Sequence, residues 1–528
     1  MNESPIRQPA YVRNVVFDSG YVGRQRPVLL SYIAASAGYV PPNPASGYTY
    51  LELGCSLGAT LNGLAASNPQ ARFVGIDFNE EHIALAIESA KSVGLSNVEY
   101  HEAAFTDFQQ FDLPQFDYIA IHGTYSWLGP DAEAAVHAIL DRHLKQGGIF
   151  YVDYMSMPGK ASVAPIWYLM RELTADFVGD SAERARVGFE MLRSLDRASA
   201  HYFKENPQSK RVFRRWDQEI QADPERIRHL AHNALTEHWS PKFFTEIVQS
   251  LAAVGLQFVG NTRLDLNDLE LALPSALRDV GGPMADRTQT ELIKDYFHNT
   301  QARQDVFVRA SSSTPEAAES YFDSAVHFMC LSPPDFKLWE FRDPDDNLLE
   351  LDEGLFEEIV SAMAEGATCI NQIAEGTAVD RGGRDDIAGA LGRMILRPDL
   401  EILAAPPSEL RTIAYRKVFP ANRYNEMAVE EVVEKGGILR LASSKFGGCI
   451  VFPKLMSAVV AICLGQQQVS MDLGRVVELL RAVPGTFDIQ RRSEKFSNID
   501  HQMIAPLWRK VQLQTLPNLI RLEAVNFE

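Results

Sequence analysis

A glycine-containing turn joins an apolar strand to a helix near the start of the chain. The strand covers Tyr50–Leu53, and Gly54 and Gly58 frame the turn before the helix begins near Thr60. Glycine adopts positive φ angles and has no Cβ, so a ligand can come close to the backbone. The start of the helix adds free N–H groups and partial positive charge. The turn therefore predicts a ligand site at the carboxyl end of this strand.

A second apolar strand, Phe73–Ile76, follows the first helix and ends in Asp77. An acidic residue at the end of the second strand of a βαβ unit is placed to accept hydrogen bonds from ribose hydroxyls. The turn lacks the closely spaced glycines with which a dinucleotide site approaches a pyrophosphate, so a nucleoside without that group fits better. Either half alone is compatible with an ordinary turn and a surface aspartate. Together and in this order they favour a nucleoside site.

Strands and helices alternate between residues 48 and 160. This alternation predicts an α/β fold with a doubly wound, mainly parallel, Rossmann-like sheet. Ligands of such sheets bind at the carboxyl ends of the strands, so residues at those ends are expected to share one site. The predicted strands lie at residues 50–53, 73–76, 97–101, 116–123 and 149–154.

A chain of 528 residues exceeds the usual size of one hydrophobic core, so several domains are expected. We predict a helical preamble, the sheet domain, a helical and mixed middle domain, a winged-helix-like unit and an α+β C-terminal region. The third helix of the winged-helix-like unit places Asp385 and Asp386 beside Arg384, so it lacks a basic face for DNA and favours packing or docking. The predicted segments are 1–47, 48–160, 161–345, 346–405 and 406–528.

Charge and cysteine content restrict the class of protein further. A net charge of -19 argues against nonspecific nucleic-acid binding, which needs a basic surface. The five cysteines are scattered and lack CxxC spacing, which is typical of reduced thiols and not of a disulfide frame or a zinc site. The longest apolar run is too short to cross a bilayer, and the N-terminus has no signal-peptide pattern. We therefore expect a cytoplasmic protein without membrane insertion, bound nucleic acid or metal.

Several segments resemble one known family. The pattern Glu52-x-Gly54-x-x-x-Gly58 with Asp77 resembles the S-adenosylmethionine site of class I methyltransferases. Later segments are similar to bacterial methyltransferases that carry a methyltransferase regulatory domain, a group that includes rickettsial protein-lysine methyltransferases of outer-membrane proteins. The chain departs from the family at Tyr11-Val12 and at Gly23–Pro27, which puts a shared acceptor in doubt. The similar segments lie at residues 116–127, 144–159, 232–244 and 303–309.

The resemblance implies S-adenosylmethionine as the cofactor and assigns its contacts residue by residue. The candidate cofactor-binding residues are Glu52, Gly54, Cys55, Ser56, Gly58, Asp77, Phe78, Ala104, Phe105 and His122. Aromatic side chains that bury an amine favour its uncharged form and attract cations, and a histidine can accept a proton. The candidate catalytic residues are therefore His122, Tyr125, Trp127 and Tyr154.

Each of these candidates also has an ordinary structural interpretation. Tyr154 and Trp127 can simply cover the end of the sheet, and His122 can be a hydrogen-bonded core residue. Phe105 can be a core residue rather than an adenine contact. Cys55 is interpreted as a small residue that fills the turn. The sequence leaves these alternatives open.

The resemblance implies an S-adenosylmethionine-dependent methyltransferase that N-methylates lysine side chains of a protein acceptor. An outer-membrane or secreted protein before export is the candidate acceptor, and a homodimer is the expected assembly. Two alternatives remain at this point. The acceptor can instead be a small molecule or a surface glycan, or the protein can sense S-adenosylmethionine without catalysis and dock a partner.

Overall fold

The structure is a computed structural model of the chain. It describes residues 20–278, 286–311, 313–331, 340–349, 352–376, 383–409, 417–484 and 501–528. Tyr11 and Val12, at which the sequence departs from the similar family, lie outside the described residues, as does most of the first half of the predicted preamble.

A seven-stranded sheet forms the centre of the molecule. Its strands are β1 (Thr49–Leu53), β2 (Arg72–Asp77), β3 (Val98–Glu102), β4 (Phe116–Ile121), β5 (Leu144–Met155), β6 (Leu256–Asn261) and β7 (Ala302–Arg309). Their order across the sheet is β3-β2-β1-β4-β5-β7-β6. The first five strands are parallel, and β7 runs antiparallel to its neighbours β5 and β6. This sheet confirms the predicted fold class.

The strand register brings the predicted site residues to one edge. Leu53 pairs with Ile76 of β2 and with Ile121 of β4, so the residues that follow these three positions lie side by side. β5 begins before the predicted strand at 149–154, and the pairing between β4 and β5 shifts register in this added part. The helices that accompany β1 to β5 are α1 (Pro27–Ser36), α2 (Ala59–Ser67), α3 (Glu80–Ser92) and α4 (Pro130–His143).

A helical insertion separates β5 from β6. Its helices are α5 (Ala164–Leu173), α6 (Ser181–Arg197), α7 (His201–Glu205), α8 (Pro207–Ala222), α9 (Arg226–Ala234) and α10 (Phe244–Ala252). The helices α5 to α9 share a hydrophobic cluster that includes Trp167, Phe189 and Phe213. Ile247 and Leu251 of α10 pack instead into the core of the sheet. The sheet therefore continues beyond residue 160, through β6 and β7, and the helices are inserted in it.

The segment after β6 covers one face of the sheet. It contains α11 (Leu269–Ala272), α12 (Ser275–Arg278), α13 (Arg287–His298), α14 (Pro315–Ala325), β8 (His327–Cys330), α15 (Glu353–Ala364), α16 (Ile370–Gly376), α17 (Arg384–Met394) and β9 (Leu400–Leu403). Three helices and β9 occupy the region predicted to be winged-helix-like, and β9 pairs antiparallel with β8, which precedes that region. Ile359, Ile373 and Leu391 belong to the same hydrophobic cluster as Leu30 of α1, so this unit shares its core with the sheet.

The C-terminal region has a hydrophobic cluster of its own. Its elements are β10 (Val418–Pro420), α18 (Arg423–Lys435), β11 (Arg440–Ser443), β12 (Gly448–Val451), α19 (Lys454–Gly465), α20 (Leu473–Ala482), α21 (His501–Lys510), α22 (Leu516–Arg521) and β13 (Val525–Phe527). It packs against α2 so closely that a Cβ at Gly63 would lie 2.8 Å from Cys449 Sγ. Within the described ranges, every helix is too short or too polar to cross a membrane.

Candidate functional site

The predicted glycine turn is held in a tight conformation between β1 and α2. Gly54 has φ +79° and Gly58 has φ +70°, a region that glycine tolerates best. A Cβ at Gly54 would lie 2.6 Å from Thr124 Oγ1, so the turn and the loop after β4 leave no room for a side chain there. The N–H groups of Gly54 and Cys55 both donate to Ile76 O, at 2.7 and 3.1 Å. These two hydrogen bonds hold the turn against the end of β2.

Asp77 connects the two halves of the predicted nucleoside site. Ser56 N donates to Asp77 Oδ2 at 3.0 Å, and Asn79 N donates to Oδ1 at the same distance. His82 Nδ1 lies 3.6 Å from Oδ1. A carboxylate has about four acceptor positions, so this fixed and largely buried group can still accept hydrogen bonds from ribose hydroxyls. A contact between Asp77 and a ribose stays a prediction.

Glu52 and Gln25 place two unsatisfied polar atoms at the carboxyl end of β1. Glu52 is 4% exposed, and its Oε2 has no hydrogen-bond partner among the described residues. Burial raises the pKa of Glu52 to about 8, an effect that the neighbouring Gln25 side chain opposes and Asp77 strengthens. Gln25 is fully buried, its Oε1 accepts from Tyr50 OH at 3.2 Å, and its Nε2 likewise lacks a partner there.

Oε2 of Glu52 and Nε2 of Gln25 lie close to each other, and a ligand that carries both an amine and a carboxylate offers each of them a further partner. Buried polar atoms are almost always hydrogen-bonded, so each such exception calls for an explanation. The methionine part of S-adenosylmethionine offers both groups, next to the nucleoside that Asp77 suits. The residues present therefore fit this cofactor.

His122 is part of a second polar cluster, at the ends of β4 and β5. Its Nδ1 lies 2.9 Å from Tyr151 OH and 3.9 Å from Asp153 Oδ2. Burial lowers the pKa of His122. The negative charge of Asp153 acts in the opposite direction, and the positive charge of Arg24 lowers this pKa further. A neutral imidazole next to the cofactor turn can accept a proton. The adjacent Gly123 has φ +63°, and a Cβ there would meet no atom within 4 Å.

The other predicted cofactor contacts surround the same edge. Phe78 follows β2 and is half-buried, while Ala104 is exposed and Phe105 half-buried after β3. Phe105 packs against the core of the sheet and leaves part of its ring exposed. Cys55 is buried, and burial raises the pKa of its thiol well above the usual range, which agrees with a filler inside the turn. The contacts themselves stay predictions.

The three predicted aromatic catalytic residues are packed into the core. Tyr154 is fully buried, and its hydroxyl donates to Asp305 Oδ2 at 2.8 Å. Tyr125 is 1% exposed and lies 3.1 Å from Glu133 Oε1. Trp127 Nε1 donates to Asn233 O at 3.2 Å. These environments favour the structural interpretation that the sequence left open. An acceptor contact for any of the three stays a prediction.

Four residues that sequence reasoning did not select lie at the site: Arg24, Gln25, Asp153 and Gln304. Gln304 Nε2 donates to Asp153 Oδ2 at 3.1 Å, and the Arg24 guanidinium donates to Gln304 Oε1. Gln304 comes from β7, far along the chain, and no local pattern marks it. Asp153 carried a signal, because it directly precedes Tyr154 at the end of a predicted strand.

A separate cavity of about 780 Å³ lies between α1, α14 and α17. It is lined by Tyr32, Phe322, Arg287 and Arg384, among others, and by none of the predicted site residues. Arg384 is already paired with Asp323 and Asp385. The cavity therefore does not mark the nucleoside site, which we locate from the strand ends.

Comparison with known families identifies the class of protein. A family model described as a methyltransferase domain matches residues 44–212, and a model described as a predicted methyltransferase regulatory domain matches residues 227–309. The chain therefore contains a class I methyltransferase domain followed by a methyltransferase regulatory domain, as the sequence predicted. The regulatory-domain match includes β6 and β7, so this segment supplies two strands of the sheet, and Gln304 lies on the inner one of them.

Individual relatives are similar over part or all of the chain. Uncharacterized protein sll1526 of Synechocystis sp. is 32% identical over 57% of this chain and 58% of its own length. Uncharacterized protein RP789 of Rickettsia prowazekii is 26% identical over 52% of this chain and 48% of its own length. The chain thus spans about half the length of the curated relatives that it matches. The structure of PKMT2 from Rickettsia typhi in complex with AdoHcy shares the fold, with a TM-score of 0.64, 16% identity and coverage of 96% and 99% of the two chains.

Proposed function

We propose that the protein is an S-adenosylmethionine-dependent methyltransferase that methylates the side-chain nitrogen of lysine in a protein acceptor. One observation carries the cofactor assignment. The unsatisfied Glu52 carboxylate, the clamped glycine turn and the capped Asp77 carboxylate lie together at the carboxyl end of β1 and β2. The matched methyltransferase domain supports the same assignment.

The chain would hold the cofactor by three groups of contacts. Asp77 would accept from the ribose hydroxyls, Phe105 would lie against the adenine, and Glu52 with Gln25 would face the amine and carboxylate of the methionine part. When bound, S-adenosylmethionine supplies a methyl group already activated by its positively charged sulfur. The chain then has to exclude water and align a nucleophile, and it needs no metal for either task.

The acceptor must lose a proton, because an ammonium group has no lone pair. His122 is placed to take that proton, directly or through one water molecule, in the tautomer that leaves Nε2 free. Tyr151 OH at 2.9 Å from Nδ1 fixes the orientation of the ring. When the cofactor is bound, the amine lone pair would form the new N–C bond, and the electron pair of the broken S–C bond would stay on sulfur. The proton on His122 passes to solvent.

The fold of PKMT2 and the family resemblance support a protein as the acceptor class. Within this proposal, the acceptor is an outer-membrane or secreted protein methylated before export. All five cysteines have free thiols, which is compatible with the reducing compartment that the proposal assumes, the cytoplasm. A homodimer stays a prediction.

A labelling experiment tests the proposal. Purified protein is incubated with tritiated S-adenosylmethionine and a bacterial lysate, and labelled products are mapped by mass spectrometry. We expect a protein band that carries methylated lysine. Label found only in the small-molecule or glycan fraction would mean that the acceptor is a small molecule or a glycan and not a protein. Tight cofactor binding without transfer to any fraction would favour a sensor.

A further inference from the structure

Asp153 lies near the C-terminal end of β5, next to His122, and takes no part in the proposed cofactor contacts. Its side chain is 13% exposed, so the carboxylate is largely removed from water. Gly123 N donates to Oδ1 at 3.2 Å, and Gln304 Nε2 donates to Oδ2 at 3.1 Å. These two bonds fix the carboxylate from both sides and leave about two acceptor positions unused.

The negative charge of Asp153 has no full cation beside it. In the part of the chain that the structure describes, its one ion-pair neighbour within 4.0 Å is His122, at 3.9 Å. Burial keeps the pKa of that imidazole below its usual range, so the ring is neutral near pH 7. Lys160 is close enough to respond to the charge of Asp153, yet no ion pair joins them. Arg24 donates to Gln304 instead.

A carboxylate that is partly desolvated and lacks a cation is costly, and a bound ammonium group would remove that cost. There is space for such a group, because Gly123 adjoins the carboxylate and a Cβ there would meet nothing within 4 Å. The proton acceptor His122 lies on the same side. A neutral hydroxyl acceptor would leave the charge of Asp153 uncompensated.

On the basis of the function proposed above, we propose that Asp153 binds the lysine ammonium group of the acceptor and so selects a cationic amine over a neutral nucleophile. Asp153 then positions the nitrogen next to His122, which accepts its proton before transfer. The one competing ligand at this place is the amino group of the cofactor itself. If Asp153 instead bound the amino group of the cofactor, removal of the carboxylate would lower the affinity for the cofactor. Our proposal predicts no such loss.

The test uses the full chain saturated with S-adenosylhomocysteine. The probes are Nα-acetyl-lysine methylamide and its uncharged counterpart Nα-acetyl-norleucine methylamide, with binding followed by saturation-transfer NMR up to roughly 10 mM. The key variant is Asp153→Asn, which keeps an oxygen for Gly123 N and removes the negative charge, while its amide group replaces the oxygen that accepts from Gln304. Asp117→Asn is the matched control, because Asp117 pairs with Lys145 at the opposite edge of the sheet.

We expect the wild type and Asp117→Asn to prefer the lysine probe by about tenfold or more, and Asp153→Asn to lose that preference. Calorimetry should show the same S-adenosylhomocysteine affinity for all three proteins, within roughly threefold. No preference in the wild type, an unchanged preference in Asp153→Asn, or a tenfold loss of its cofactor affinity would each overturn the assignment. Failure of the wild type to bind S-adenosylhomocysteine would instead refute the proposed function itself.

Discussion

The backbone N–H of Ser56 donates a hydrogen bond to Oδ2 of Asp77 at 3.0 Å. Through this bond the glycine turn after β1 and the acid after β2 form one unit. Ser56 has φ +49°, an uncommon conformation for a residue with a side chain. The bond to Asp77 helps to hold Ser56 there, so the carboxylate orients the turn as well as any ribose that binds.

Asp77→Ala should therefore weaken cofactor binding by roughly 1–3 kcal/mol, the scale of lost hydrogen bonds to a charged group. Calorimetric titration with S-adenosylhomocysteine measures this directly. Glu99→Ala is a suitable control, because Glu99 is an acid on the adjacent strand that pairs with Arg72 near the opposite edge. Equal affinity in the Asp77 variant and the wild type would remove Asp77 from the site.

Gly54→Ala should cost stability as well as cofactor affinity. The new Cβ would lie 2.6 Å from Thr124 Oγ1, and φ +79° is strained for alanine. We expect a loss of about 1–3 kcal/mol in the free energy of unfolding, measured with urea. The double variant with Thr124→Ala relieves the contact but not the strain, so it should recover part of the loss. Full stability in the single variant would mean that the turn is looser than described.

The sequence predicted the first five strands and the cofactor edge because their signals are local. Glycine spacing, an apolar strand and its terminal acid all lie within one βαβ unit, and parallel strands place their carboxyl ends together. Gln25 and Gln304 were not predictable in this way. They reach the site from a segment before the sheet and from a strand of the regulatory domain, and only tertiary packing brings them to Glu52 and Asp153.

Tyr154 shows what the side-chain alternation along β5 adds to the sequence pattern. Neighbouring residues of a strand point to opposite faces of a sheet, so Asp153 and Tyr154 project to different sides of β5. The structure turns Asp153 toward His122 and Tyr154 toward Asp305 in the core. The aromatic character of Tyr154 suggested a role in binding an amine, but the alternation along β5 favours its acidic neighbour.

Glu52→Gln should change how stability depends on pH. Burial raises the pKa of Glu52 to about 8, so the folded protein keeps a proton that the unfolded chain releases above its ordinary carboxyl pKa. Stability from this group is therefore complete at low pH and falls as pH rises toward 8. The variant lacks this decrease. Between pH 6 and 8, its free energy of unfolding should therefore rise relative to that of the wild type by up to about 2 kcal/mol. Parallel urea curves across that range, with a constant difference, would contradict the raised pKa.

Tyr151→Phe should slow methyl transfer without weakening cofactor binding. The change removes the hydroxyl that lies 2.9 Å from His122 Nδ1, so the ring loses its fixed orientation. We expect about a tenfold slower labelling of the acceptor band, at the low end of general-base effects. Tyr118→Phe is the control, since Tyr118 OH bonds Ser31 and Pro42 toward the amino end of β4, away from His122. A Tyr151 variant that labels the acceptor as fast as the wild type would show that this hydroxyl does not position His122 for proton transfer.

Tyr154→Phe distinguishes a structural tyrosine from one that contacts the acceptor. Its hydroxyl donates at 2.8 Å to Asp305, a fully buried carboxylate that also pairs with Arg303 at 2.8 Å. Burial raises the pKa of Asp305, and removing a donor from this carboxylate leaves it less well compensated. We expect a loss of roughly 1–3 kcal/mol in the free energy of unfolding. Methyl transfer per folded molecule should stay unchanged, as measured by labelling at a temperature where the variant is fully folded. A variant of wild-type stability that labels its acceptor ten times more slowly would instead place Tyr154 in the acceptor site, and β5 would then have to twist from the register that pairs Tyr154 with Arg303.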